Sequence, residues 1–226
     1  VGVPVIAVLG NHDLHDDEPE RVRACLEKAG ITVLEGEATV LDVRGTSLAI
    51  AGTIGFGHGF LGGSASEFGE PLMKAFVRRA KELAASLDGA LRSADAARAD
   101  VRVVLTHYAP VEDTLGDEPR EIFPFLGSYL LGEVADEHLV DLYLHGHAHR
   151  GAEHGTTPGG VPVRNVAPPV IEAAYRVYEL APRPTAAADP AATGAATPSA
   201  AARDRRARAP GRRAPPAAGR RRRCAR

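Results

Sequence analysis

The chain has 226 residues, with 27 Lys plus Arg against 29 Asp plus Glu and a formal net charge of −2. That near-neutrality is a cancellation: from Arg183 onward twelve Arg face two Asp, with no Leu, Ile, Val or aromatic residue, while residues 1–182 are left at −12. A segment without apolar side chains cannot build a core, so the expected organisation is a globular domain over 1–182 and a disordered Arg/Ala/Pro-rich tail over 183–226. The acidic body argues against nucleic acid as its partner, because phosphate binding rests on Lys and Arg displacing counterions. A role for the tail as a basic nucleic-acid arm is weighed against a solvated charge run, and the charge run is preferred.

Cys25 and Cys224 give neither a disulfide framework nor a CxxC metal pattern. No apolar run approaches the roughly 18 residues of a membrane span, and the start of the chain lacks a signal-peptide pattern. The expectation is therefore a cytoplasmic protein with no membrane partner.

In chain order, Val3 to Leu9 is an apolar, β-branched run that predicts a strand buried on both faces. Pro19 to Gly30 carries helix start and stop signals, with Val22, Leu26 and Ala29 on one face. Thr39 to Val43 and Ser47 to Ile50, separated by Arg44-Gly45-Thr46, predict a hairpin, and Gly52 to Gly69 a Gly-rich loop. Leu72, Phe76, Ala80, Leu83, Leu87 and Leu91 recur at spacings of three or four, which predicts a long helix from Leu72 to Ala99. Strands are expected at Val101 to Leu105 and Leu139 to Leu144, with a helix at Leu130 to Glu137 between them. Further strands are expected at Val161 to Val166 and Ala174 to Leu180. Strands alternating with helices make an α/β layered fold.

Three of the apolar strands run directly into histidine-bearing clusters. These are Gly10-Asn11-His12-Asp13, Thr106-His107-Tyr108, and His145-Gly146-His147-Ala148-His149. Loops at the carboxyl ends of strands in layered α/β folds meet to form ligand sites, so the three clusters are expected to converge on one pocket. His147 and His149 would face the same side of an extended segment, with Gly146 permitting a close turn. Imidazole nitrogens with an Asn carbonyl suit Zn, Mn, Fe or Ni better than Ca or Mg. His58 and His154 read as hydrogen-bonded loop residues, His15 and His138 as solvent-exposed, and His145 as a supporting or packing residue. Gly52 to Gly63 lacks the Gly-Lys-Ser/Thr ending of a phosphate loop and reads as a surface loop.

In order and spacing these three clusters resemble signature blocks of the calcineurin-like metallophosphoesterases, over about Val3 to Leu180. The resemblance implies a metallophosphoesterase-like β-sandwich flanked by helices. It implies that Asn11, His107 and His147 ligate one metal ion and His149 the other. His12 is then an uncoordinated histidine beside the scissile phosphate, acting as the catalytic group. Asp13 is either its supporting acceptor or a structural turn residue. Family members use two divalent metal ions, Mn, Fe or Zn, whose bridging hydroxide attacks the phosphoryl group.

The family also opens with a strand ending in Asp-x-His and a Gly-Asp block, and the chain is expected to carry neither. The expectation is thus an N-terminally truncated domain whose remaining ligands are all neutral, holding a single ion and impaired in activity. The acidic loop from Glu112 to Gly127 is expected to overhang the pocket and to favour small phosphomonoesters or phosphodiesters over polyanions. The alternative is a non-catalytic single-metal or ligand-binding module with the same fold.

Overall fold

The computed structural model of the chain describes residues 2–15 and 17–183; the expected tail beyond Arg183 lies outside them. In chain order the elements are β1 (Val5–Ala7), α1 (Pro19–Lys28), β2 (Ile31–Val33), β3 (Glu37–Val43), β4 (Thr46–Thr53), β5 (Gly59–Phe60), β6 (Gly63–Ser64) and α2 (Pro71–Ala96). They continue with β7 (Val101–Thr106), α3 (Phe123–Leu126), α4 (Tyr129–Asp136), β8 (Leu142–His145), β9 (His154–Thr156), β10 (Pro162–Asn165) and α5 (Pro168–Ile171). Six strands form one mixed sheet in the order β3-β4-β7-β8-β10-β9. Its four inner strands are parallel, and β3 and β9 add antiparallel edges. β1 and β2 pair in parallel as a separate two-stranded sheet. The layered α/β class is as the alternation of strands and helices required.

Local chemistry accounts for the elements. α1 begins with Pro19 at its first position, where a missing N–H costs nothing, and Gly30 follows it at φ +84°. The β3–β4 turn places Arg44 and Gly45 both at positive φ, the two-residue geometry that matches strand twist. α2 buries Val77, Ala80, Leu83, Ala84, Leu87 and Leu91 along one stripe. Leu87 and Leu91 are completely buried, each contributing roughly 1.5–3 kcal/mol by area. They share a core with Leu9 and Val33 of the small sheet region, Val104 and Tyr143 of the large sheet, and Leu131 of α4. Leu72, by contrast, is 83% exposed, because the first turn of α2 projects past the core.

Several expectations need correction. β1 is shorter than the apolar run and not buried on both faces, since Val3 and Val5 are exposed. A sheet of two strands covers only one side of it. The strand predicted from Leu139 starts at Leu142, leaving Leu139 exposed. Ala174 to Leu180 is not a strand. Tyr178 packs with Val101, Val103 and Leu142 on the sheet face, so this segment runs over the sheet without pairing at its edge. β9 and the small β5–β6 hairpin inside the Gly-rich loop were not foreseen.

Parallel pairing has one functional consequence. β4 ends at Thr53 beside Thr106 of β7, Leu105 lies beside Leu144 of β8, and His145 lies beside Asn165 of β10. The carboxyl ends of four strands therefore share one edge, and the segments after β7 and β8 carry His107 and His147.

Candidate metal centre

Two side chains reach His107 from elsewhere in the chain. Its Nε2 stands 2.7 Å from Asn11 Oδ1 and 3.0 Å from His147 Nδ1, so all three strand-end clusters converge. Gly10 allows the approach of Asn11: a Cβ there would come within 3.0 Å of the His107 ring. His147 Nε2 lies 3.2 Å from the Phe125 carbonyl and donates to it, which leaves the Nδ1 lone pair facing His107. The His147 ring also packs 4.5 Å from that of Tyr108. Burial holds the His107 pKa down to about 4, with the neighbouring His147 acting in the same direction and Asp13 opposing. Burial also lowers the pKa of His147. Both rings are neutral at pH 7 and keep a lone pair for a ligand.

The backbone under His147 departs from the expected extended segment. His147 has φ +67° and Ala148 N–H donates to Gly146 O at 2.8 Å, the marks of a rare, strained γ-turn with positive φ at its centre. The histidine takes the left-handed conformation and Gly146 does not. A set of buried groups holds this turn. His145 Nδ1 donates to Gly146 O at 2.8 Å, and its Nε2 meets Thr114 Oγ1 at 2.8 Å. Burial lowers the His145 pKa to about 4, so the neutral ring donates at Nδ1 and accepts the threonine proton at Nε2. Asn165 Nδ2 donates to Ala148 O at 2.8 Å and to Thr114 O at 3.3 Å. Sequence reasoning gave His145 a supporting place but missed Thr114 and Asn165. A polar residue closing the strand Pro162–Asn165 was the available signal for Asn165; Thr114, inside a loop, offered none.

His12 and His149 are exposed, and each lies close enough for its charge to depress both His107 and His147. Asp13 Oδ2 accepts from Gly10 N–H at 2.7 Å while Asp13 N–H donates to Gly10 O at 3.0 Å, and its charge opposes the lowering of the His107 pKa. The acidic loop packs against the segment after His147: Arg150 N–H donates to Glu118 Oε1 at 2.8 Å, and Phe125 supplies the carbonyl already described.

Other histidines differ from expectation. His138, expected at the surface, lies between Asp95 (2.6 Å) and Asp88 (2.9 Å) of α2 with its side chain only 7% exposed. Its partners are distant in sequence, and the flanking acids misled. His58, expected as a hydrogen-bonded loop residue, is buried with Nδ1 unpartnered; His154, expected likewise, stands exposed in β9, and His15 is exposed as expected. The Asp-x-His spacing does occur, at Asp13-Leu14-His15 and Asp136-Glu137-His138. The first lies in a 3-10 turn and the second at a helix end, and neither follows a strand.

Ligand atoms about 2.1 Å from one ion, at right angles to each other, stand about 3 Å apart. The 2.7 and 3.0 Å spacings around His107 Nε2 fit that arrangement, and an N₂O set of neutral donors suits a borderline divalent ion. Among the described residues no three His, Cys, Asp or Glu side chains form a metal-binding group, and no carboxylate joins the three donors.

The calcineurin-like phosphoesterase family matches residues 1–151. The chain belongs to that family, whose members are metal-dependent hydrolases of phosphate esters. No curated protein matches the chain significantly. Similar folds include a candidate 5'-nucleotidase of Staphylococcus aureus in complex with alpha-ketoglutarate, at 16% identity and a TM-score of 0.46, over 72% of this chain and 32% of that one. Another is a hypothetical protein of Thermus thermophilus, at 20% identity and a TM-score of 0.40, over 74% of this chain and 54% of that one. The chain thus spans less than two thirds of either structure's length. Among the described residues no helix is long and apolar enough to cross a membrane.

Proposed function

We propose that the chain is a metal-dependent phosphoesterase acting on small phosphomonoesters or phosphodiesters. One divalent ion is held by Asn11, His107 and His147, and His12 is the proton donor to the leaving oxygen. The observation that carries this reading is the convergence of Asn11 Oδ1 and His147 Nδ1 on His107 Nε2 from three separate strand ends. A bound divalent ion supplies Lewis-acid polarisation of the phosphoryl oxygen and lowers the pKa of water. The chain's own groups do the rest. The Phe125 carbonyl and the His145–Thr114 pair fix the tautomer and direction of His147, while His12 and His149 stand exposed beside them. The acidic loop from Glu112 onward favours small esters over polyanions, and free, exposed Cys25 suits a reducing cytoplasm.

A specific observation favours a second reading, a single-metal or ligand-binding module without turnover. His149 is the one residue that the family resemblance assigns to a second ion, and it stands exposed. We therefore expect turnover well below that of a two-metal enzyme. The test is hydrolysis of an aryl phosphodiester and an aryl phosphomonoester by the full chain with and without Mn²⁺, alongside His147→Ala. Slow, Mn²⁺-dependent turnover that His147→Ala abolishes is expected. Mn²⁺ binding with no turnover of either ester would establish the second reading, and turnover unaffected by His147→Ala would overturn both.

A further inference from the structure

Asn11 and His107 must meet although they stand on different sheets: Asn11 follows β1 in the two-stranded sheet, and His107 follows β7 in the six-stranded one. No β-ladder joins the two sheets, so something other than strand pairing fixes their separation at this edge. Glu35, in the connection between β2 and β3, occupies that junction. Its Oε1 accepts from Leu9 N–H at 3.0 Å, two residues before Asn11. The next residue, Gly36, donates its N–H to Gly52 O of β4 at 2.8 Å, and Ile54, just beyond β4, lines the same cavity as Glu35. The Ile54 carbonyl in turn accepts from His107 N–H at 3.0 Å and Tyr108 N–H at 3.2 Å. The Glu35 side chain and the Gly36 backbone thus tie the end of β1 to β4, whose continuation at Ile54 holds the backbone of His107.

The surroundings agree with a built junction. Gly52 lets the sheets close: a Cβ there would meet Val8 Cγ1 at 2.9 Å and Leu34 Cβ at 3.0 Å. Glu35 lines a cavity of about 380 Å³ with Leu9, Ile54, Arg23 and Arg79. Burial pushes the Glu35 carboxyl up, and the Leu9 and Ile54 N–H groups and both arginines pull it back. Charged acceptors make stronger bonds to N–H groups than neutral ones.

We propose that Glu35 is a positioning residue of the metal centre, whose carboxylate clamps the end of β1 to the end of β4 and so sets Asn11 Oδ1 against His107 Nε2. This rests on the reading of Asn11, His107 and His147 as metal ligands. Outer partners of metal ligands typically account for about 10- to 100-fold in metal affinity.

The test is Mn²⁺ affinity, by calorimetry on the full chain, for the unaltered protein, Glu35→Ala, Glu35→Gln, Asn11→Ala and the Glu35→Ala/Asn11→Ala pair, with melting temperatures recorded without metal. Glu35→Ala is expected to weaken Mn²⁺ binding by about tenfold or more and Glu35→Gln by several-fold. In the Asn11→Ala background Glu35→Ala is expected to cost nothing further, because its effect acts through Asn11. A general loss of stability would not produce that non-additivity. Unchanged affinity in Glu35→Ala, or fully additive losses in the pair, would overturn the proposal. If Glu35→Ala does not fold, Glu35→Gln decides alone, and unchanged affinity there overturns it. If Asn11→Ala binds Mn²⁺ as the unaltered chain does, the metal reading itself fails and this inference falls with it. Intact weakening by Asn11→Ala beside an indifferent Glu35→Ala removes only the role of Glu35.

Discussion

Gly10 and His107 show how little space separates the donors from their supports. Gly10 has extended backbone, φ −110° and ψ 171°, which any residue adopts, so the need for glycine is purely one of volume. A methyl group at 3.0 Å from the His107 ring must displace that ring from Asn11 Oδ1. Gly10→Ala is therefore expected to leave the melting temperature nearly unchanged while weakening Mn²⁺ binding about tenfold, measured by calorimetry. Equal affinity in the two proteins would show that the ring has room to move without loss.

At the scale of elements, His138 joins the end of α4 to α2. Burial opposes its charge, but hydrogen bonds and attraction from Asp95 and Asp88 outweigh it and raise the pKa. A raised folded-state pKa contributes stability that is fully present below the unfolded value of about 6.5 and is lost as pH rises through the folded value. His138→Ala should accordingly lower the melting temperature more at pH 5.5 than at pH 9, and an equal drop at both would refute the charged pairing. The same elements mark what was legible beforehand. α2, the β3–β4 hairpin and the convergence of Asn11, His107 and His147 followed from periodicity, turn chemistry and strand-end position. The partners of His138, the clamp formed by Thr114 and Asn165, and the bridge at Glu35 were not legible. Each depends on residues tens of positions apart whose types carry no local signal. Ala174 to Leu180 misled for the opposite reason: its composition suits a strand, but it crosses the sheet face, where Tyr178 packs with Val101, Val103 and Leu142.

For the molecule as a whole, metal binding and folding are linked. An ion that binds the folded chain alone adds RT ln(1 + [L]/Kd), about 2.7 kcal/mol at a hundredfold excess over Kd. Mn²⁺ should raise the melting temperature of the chain and leave that of His107→Ala where it was; an equal rise in both would place the ion elsewhere. The γ-turn at His147 gives this linkage an unusual sign in one variant. A left-handed residue other than glycine costs about 1–3 kcal/mol, against which His147 sets its hydrogen-bond contacts to Phe125 and His107 and its packing on Tyr108. His147→Gly is expected to melt no lower than the parent without metal and to gain nothing when Mn²⁺ is added; a fall of several degrees would show that the turn is unstrained. A laboratory screen for heat resistance alone, run without metal, would then discard this histidine before it touched the core around Leu87 and Leu91. The most robust descendants of the chain would be those that had ceased to bind.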